Sequence, residues 1–237
     1  MEIMRRHDWL LSTTEAIKLQ KELAAEVSRI GNVPDPRLIA GVDISVNRWE
    51  KTGKAAVVVL NFPGLDAVEV KTYTDNISFP YIPGLLSFRE APLILAACEK
   101  LSSEPDIIMV DGQGIAHPRR MGLAAHLGLF LDIPTIGCAK SRLCGSHEEP
   151  GNERGDFTEL FDNDEVIGAV VRTRSRVKPV YVSIGHKIDL PESIKIVLHC
   201  CRGYRLPEPT RLAHQAAGGH LKLQAGTIAD ITSLQVE

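Results

Sequence analysis

"PDIIMVDGQGIAHPRRMGLAAHLGLFLDIPTIGCAK", Pro105 to Lys140, decides the fold. Ile107, Ile108, Met109 and Val110 run without a polar interruption and stop at Asp111 and the turn Gly112-Gln113-Gly114. A short apolar run bounded by turn residues reads as a strand buried on both faces. "PRRMGLAAHLGLFLD" reads as a helix, with Pro118 suited to its first position. "IPTIGCAK" reads as a second buried strand that ends at Lys140.

Upstream, "TTEAIKLQKELAAEVSRI" has helical spacing. Ala16, Leu19, Leu23 and Val27 share one face, and Thr13 or Thr14 is placed to cap it. "LIAGVDISV", "AAVVVLNF" and "AVEVKTYT" read as strands, separated by breaks at Gly53 and at "PGLD". "REAPLILAACEKL" is helical. Downstream, residues 145–156 form a long polar loop, and "EVIGAVVRTR" with "KPVYVSIGHKI" reads as a hairpin pair. "PESIKIVLHCCRGY" and "PTRLAHQAA" read as helices, and the last dozen residues show no strong pattern. Strands come first and strand–helix alternation follows. The expectation is an α/β chain with a mixed central β-sheet flanked by helices, and 237 residues suit one large α/β domain or two small ones.

Composition narrows the partners. Hydrophobic residues make up 44% and charged residues 24%, ordinary for a globular protein. A net charge of −3 advertises no polyanion ligand, yet a local basic face suffices for nucleic acid. No apolar run approaches membrane-spanning length and no signal peptide is evident at the N-terminus. Cys98, Cys138, Cys144, Cys200 and Cys201 are odd in number and include no C-x-x-C pair, which argues for reduced thiols in the cytoplasm.

Chemistry gathers at strand ends. In "GVDISV" the side chains of Val42, Ile44 and Val46 point one way and Gly41, Asp43 and Ser45 the other. An unpaired carboxylate in mid-strand is costly if buried. Asp43 is harmless on a solvated face, but with Asp111 at a strand's carboxyl end it makes a candidate pair for a hard cation such as Mg²⁺. Glu90 admits two readings. "SFRE" has the capping-box pattern with Ser87; a helix beginning nearer Pro92 leaves Glu90 at its mouth, free to face a metal or water. Arg119 and Arg120 behind Pro118 fall in a first helical turn, where an anion would offset the dipole. Arg172, Arg174, Arg176 and Lys178 alternate as a basic stripe or as edge-strand protection. "FPYIPG", Phe79–Gly84, is a rigid extended loop with Tyr81 at its tip: a plain connection, or a wedge between bases.

Taken together, "LIAGVDIS", "PYIPGLLSFRE", "VDGQGIAHPRR", "IPTIGCAKSRLCG", "VYVSIGHKI" and "GYRLPEPTR" resemble the endonuclease V family, from about residue 37 to 215. The resemblance implies a ribonuclease H-like fold and Mg²⁺-dependent phosphodiester cleavage in DNA containing deaminated bases, chiefly deoxyinosine, with Mn²⁺ as a substitute metal. It implies a cut at the second phosphodiester bond 3′ of the lesion by a monomer. Asp43 and Asp111 match the family's metal-binding aspartates, Glu90 its acidic catalytic position, and Lys140 its lysine near the scissile phosphate. His214 matches a position that assists metal binding in some members. Pro80, Tyr81, Ile82 and Pro83 match the duplex-opening wedge; Gly84, Leu86, Gly112, Gly122 and Leu143 fall in motifs shaping the pocket for a flipped base, in which His117 and Arg119 are also expected to bind substrate. Gln113 stands where many members have histidine. Two alternatives remain at this stage: an inosine-specific ribonuclease, and a non-catalytic lesion-binding protein.

Overall fold

The computed structural model describes residues 1–47 and 49–221; the final dozen residues lie outside that range. One eight-stranded mixed sheet runs in the order β3-β2-β1-β4-β5-β8-β7-β6. Its strands are β1 (Leu38–Asn47), β2 (Thr52–Asn61), β3 (Ala67–Asn76), β4 (Ile107–Val110), β5 (Thr135–Ala139), β6 (Phe157–Asp162), β7 (Glu165–Val171) and β8 (Val180–His186). The helices are α1 (Thr13–Leu23), α2 (Leu86–Glu99), α3 (Leu123–Leu131), α4 (Leu190–His199) and α5 (Glu208–Ala217). β1, β4 and β5 are parallel neighbours, and every other pairing is antiparallel.

Period-two alternation sorts the core onto two faces. Ala55, Val57 and Val59 of β2 with Ile108 and Val110 of β4 pack under Ala91 and Ile94 of α2. Ala56, Val58 and Leu60 with Ile107 and Met109 face the opposite layer, which includes Ile196 and Val197 of α4 and Ala213 of α5. All nine residues of α3 are buried, and the helix feeds both clusters. Among the described residues no helix is long and apolar enough to cross a membrane.

Several expectations need correction. α1 is capped by Ser12, not by Thr13 or Thr14. Its hydroxyl accepts from the Glu15 amide while the Glu15 carboxylate accepts from the Ser12 amide, a complete capping box. The helix stops at Leu23 and a 3₁₀ turn, Ala24–Glu26, replaces its expected last turns. Gly53 is no break; it lies within β2 opposite Val46. α2 starts at Leu86, so Ser87 is no N-cap and Glu90 lies inside the helix, whose interior accepts Pro92. α3 starts at Leu123, capped by Gly122, so Arg119 and Arg120 precede it. The expected anion site at a helix start is therefore not formed by this pair. β7 ends at Val171, so the basic stripe is not on a strand. Arg172 is buried and donates to the carbonyls of Gly151, Pro150 and Val177, pinning the polar loop. β6 escaped the sequence reading because its exposed Phe157 and Phe161 blur the alternation.

Candidate active site

The parallel strands β1 and β4 set the two aspartates side by side. Val42 pairs with Val110, so Asp43 and Asp111 are the next residues along each strand. α5 is drawn close over β1 at Gly41: a Cβ there would strike the backbone of Pro209. Gly41 and Asp43 share a face. The close approach therefore lays the next turns of α5 over Asp43, and His214 Nδ1 comes 2.6 Å from Asp43 Oδ2. Among the described residues, Asp43, Asp111 and His214 form a group whose ligand atoms all lie within 4.8 Å of one another.

The electrostatics of this group suit a divalent cation. Burial, then the charge of Asp111, holds the Asp43 carboxyl above its usual range, and the His214 contact and Lys140 only partly oppose this. Asp111 Oδ2 is buried and accepts no hydrogen bond; Lys140, just past the end of β5, lies against it as an ion pair without hydrogen-bond alignment. Two crowded carboxylates with an unused oxygen are a donor set for Mg²⁺ or Mn²⁺. Glu90, one helical turn behind Leu86 and Ser87, is pushed up to about 8 by burial, by Asp43 and then by Asp111. It belongs to the same acidic field without joining the three-residue cluster.

Beside the acids lies a cleft of about 340 Å³ lined by Tyr81, Ile82, Pro83, Gly84, Leu86, Gly112, Gly122 and Leu143, together with Asp111 and Lys140. The loop residues Pro80–Gly84 are braced from below. The carbonyl of Gly84, whose φ of +79° favours glycine, accepts from Gln20 Nε2 (3.0 Å), His117 Nε2 (2.9 Å) and Arg119 Nη2 (2.6 Å). Burial, with the neighbouring Arg119, presses His117 down to about 4, so it is neutral, and it accepts the Arg119 amide on Nδ1. Tyr81 stays 70% exposed at the tip. Arg119 thus supports the loop, also bonding Gln20 Oε1, while Arg120 pairs with Asp162 and Glu165. Pro80 and Arg119 do not line the cleft.

Sequence reading missed Gln20, which is fully buried on α1 and also donates to the carbonyl of Met121. The signal was available: Gln20 stands among Ala16 and Leu23 on the buried face. Ser87, read from the sequence only as a possible helix cap, also lines the cleft, as do Ser141 and the exposed Arg142, which carried no signal.

The family model described as Endonuclease V matches residues 21–215. The chain belongs to the endonuclease V family. It is similar to the Endonuclease V of Dehalococcoides mccartyi, 52% identical over 217 residues that span 92% of this chain and 97% of that one. The crystal structure of Streptomyces avermitilis Endonuclease V superposes with a TM-score of 0.85 at 40% identity, covering 92% of this chain and 96% of that one. Ciona intestinalis Endonuclease V, in complex with a DNA containing an inosine followed by a ribo-adenosine, gives a TM-score of 0.76 at 27% identity, covering 89% and 98%. This endonuclease V chain is a nuclease with the expected ribonuclease H-like fold.

Proposed function

We propose that this chain is a DNA repair endonuclease that recognises deaminated bases, chiefly deoxyinosine, and cuts the second phosphodiester bond 3′ of the lesion with Mg²⁺, Mn²⁺ substituting. The observation that carries the reading is the cluster of Asp43, Asp111 and His214 opening beside the cleft under Tyr81. Asp43 and Asp111 would hold the metal, His214 assisting. When bound, Mg²⁺ supplies Lewis-acid stabilisation of the phosphate and lowers the pKa of coordinated water.

The protein's own groups do the rest. Tyr81, held out by Pro80 and Pro83, replaces the stacking that the extruded base gives up. The walls at Gly84, Leu86, Gly112, Gly122 and Leu143 receive that base. Lys140, exposed at the end of β5, meets charge developing on the phosphate. Glu90 accepts the proton of the attacking water or orients it. Arg119, His117 and Gln20 act on substrate through the Gly84 loop. The acidic net charge is offset locally by Lys140 and Arg142 at the cleft. We place the enzyme in the cytoplasm as a monomeric single domain, in keeping with five unpaired cysteines.

The test is a side-by-side nicking assay on inosine-containing DNA and RNA oligonucleotides, with Mg²⁺ and with EDTA. Mg²⁺-dependent cleavage of the DNA at the second 3′ phosphodiester bond is expected. Cleavage of the RNA alone would favour the inosine ribonuclease reading, to which the ribo-adenosine in the Ciona complex lends weight. Binding without cleavage would favour a lesion-binding protein.

A further inference from the structure

The amino-terminal segment lies ahead of the residues matched by the family model. It is tied down by the Met4 amide to the Phe130 carbonyl (2.7 Å), by Arg6 Nε to the Leu129 carbonyl (3.2 Å), and by Arg6 to Glu26 (2.9 Å). From it a chain of polar contacts runs inward. His7 Nδ1 is 2.9 Å from the Asp8 carbonyl, His7 Nε2 is 2.7 Å from His126 Nε2, and His126 Nδ1 is 2.9 Å from Ser87 Oγ. Ser87 lines the cleft, one turn before Glu90.

The chain has one consistent polarity. Both imidazoles are neutral: burial presses His126 down to about 3 and lowers His7 as well. A carbonyl only accepts, so His7 carries its hydrogen on Nδ1 and donates to Asp8. His7 Nε2 is then an acceptor, His126 donates to it from Nε2, and His126 Nδ1 accepts the Ser87 hydroxyl hydrogen.

The helix at the end of this chain is weak where it matters. α2 begins at Leu86, its N-cap Leu85 offers no side-chain hydrogen bond, and Pro92 has no N–H for the Phe88 carbonyl. Its first turn is held from outside, by Arg89 Nη1 on the Phe79 carbonyl (2.9 Å) and by the rings of Phe79, His126, Trp9 and His7 around Phe88. That turn carries Leu86 into the cleft and sets the direction of Glu90.

We propose that His7 and His126 are positioning residues for the cleavage reaction: the chain Asp8 carbonyl–His7–His126–Ser87 seats the first turn of α2, and with it Leu86 and Glu90. The proposal rests on the nuclease reading above. A catalytic group misplaced by about 1 Å can lose about a hundredfold in rate, whereas the cleft walls at Tyr81–Gly84 are anchored through the Gly84 carbonyl and not through α2.

The experiment compares the parent with His7→Ala, His7→Gln and His7→Lys in the full chain. Single-turnover cleavage of an inosine duplex in Mg²⁺ is read against the Kd for the same duplex in Ca²⁺ and against Tm. His7 is half-buried and packs on Trp9, Phe88, His126 and Phe130, so its replacement costs some stability, and each rate is taken per folded molecule at a temperature well below the variant's Tm. His7→Ala should cleave roughly tenfold slower with Kd changed by less than about twofold. His7→Gln, whose carboxamide oxygen reaches the Nε2 position and accepts, should recover most of the rate; His7→Lys, which only donates, should not. Histidine ¹⁵N NMR of the parent should show His126 as the Nε2–H tautomer. Parental rates for His7→Ala, equal rates for His7→Gln and His7→Lys, loss of cleavage in proportion to loss of folded protein, or an Nδ1–H tautomer at His126 would each overturn the proposal. A parent that does not cleave overturns the nuclease reading and this proposal with it.

Discussion

His214 Nδ1 and Asp43 Oδ2 meet at 2.6 Å across 171 residues of chain, because Gly41 lets α5 press on β1. His214 is exposed and Asp43 is not, so the aspartate is the costlier member to lose. Asp43→Asn or Asp111→Asn is expected to abolish nicking and to leave the fold intact, since removing one of two crowded negative charges relieves repulsion. His214→Ala should retain activity and raise the Mg²⁺ concentration for half-maximal rate by about tenfold, the lower end for a lost supporting contact at a metal. Near-parental nicking by either aspartate variant in Mg²⁺ would remove the metal assignment.

Glu90 makes the metal-free protein pH-sensitive. Its folded-state value of about 8 stands above the ordinary 4.5. Between those values the folded chain holds more protons than the unfolded one, so stability falls as pH rises through the interval. Glu90→Gln removes this dependence. In EDTA at pH 8, Tm of the variant should exceed the parent's by at least about 2–4 °C, the shift that ~1 kcal/mol produces at this size. The gap should close towards pH 4.5, where Glu90 is protonated in the folded state. Equal melting curves at pH 8 would show that Glu90 is not held in an acidic, buried field.

Lys140 is in contact with Asp111 from just past the end of β5. Lys140→Ala should slow single-turnover cleavage about a hundredfold or more, as loss of a donor at developing charge does elsewhere. Lys140→Arg should recover only part of the rate, because a planar guanidinium does not replace a point charge. A parental rate for Lys140→Ala would make the residue a structural counter-ion.

Tyr81→Ala should reduce the preference for inosine over normal DNA more than it reduces general DNA affinity. Aromatic–base stacking is worth about 1–3 kcal/mol, roughly a fivefold to hundredfold change in preference. The loop itself should stay in place, since its anchor is the Gly84 carbonyl with three donors and not the tyrosine. Competition binding in Ca²⁺ with matched duplexes checks this, and an unchanged preference would return Tyr81 to a plain surface residue.

Local pattern was enough for the strands and the layers. The unbroken runs Ile107–Val110 and Ala55–Leu60 read as buried strands because burial on both faces demands apolar residues at every position. Asp43, Asp111 and Lys140 were legible for the same reason: a charged residue beside such a run is an exception that burial makes expensive. Helix starts were not legible. Pro118 looked like a first helical residue, yet Arg120 has a φ of +56° and pairs with Asp162 and Glu165 on another hairpin, which overrides the local preference. Pro92 argued against a helix capped at Ser87, yet α2 begins at Leu86 and takes Pro92 into its interior, where the aromatic packing of Phe88 outweighs the lost hydrogen bond. Sequence alone also could not pair Asp43 with His214, join Gln20 to the Gly84 carbonyl, or run His7 through His126 to Ser87. Local spacing carries information about residues a few positions apart. These contacts span 39 to 171 residues and exist only because the sheet order and the helix layers close the chain on itself.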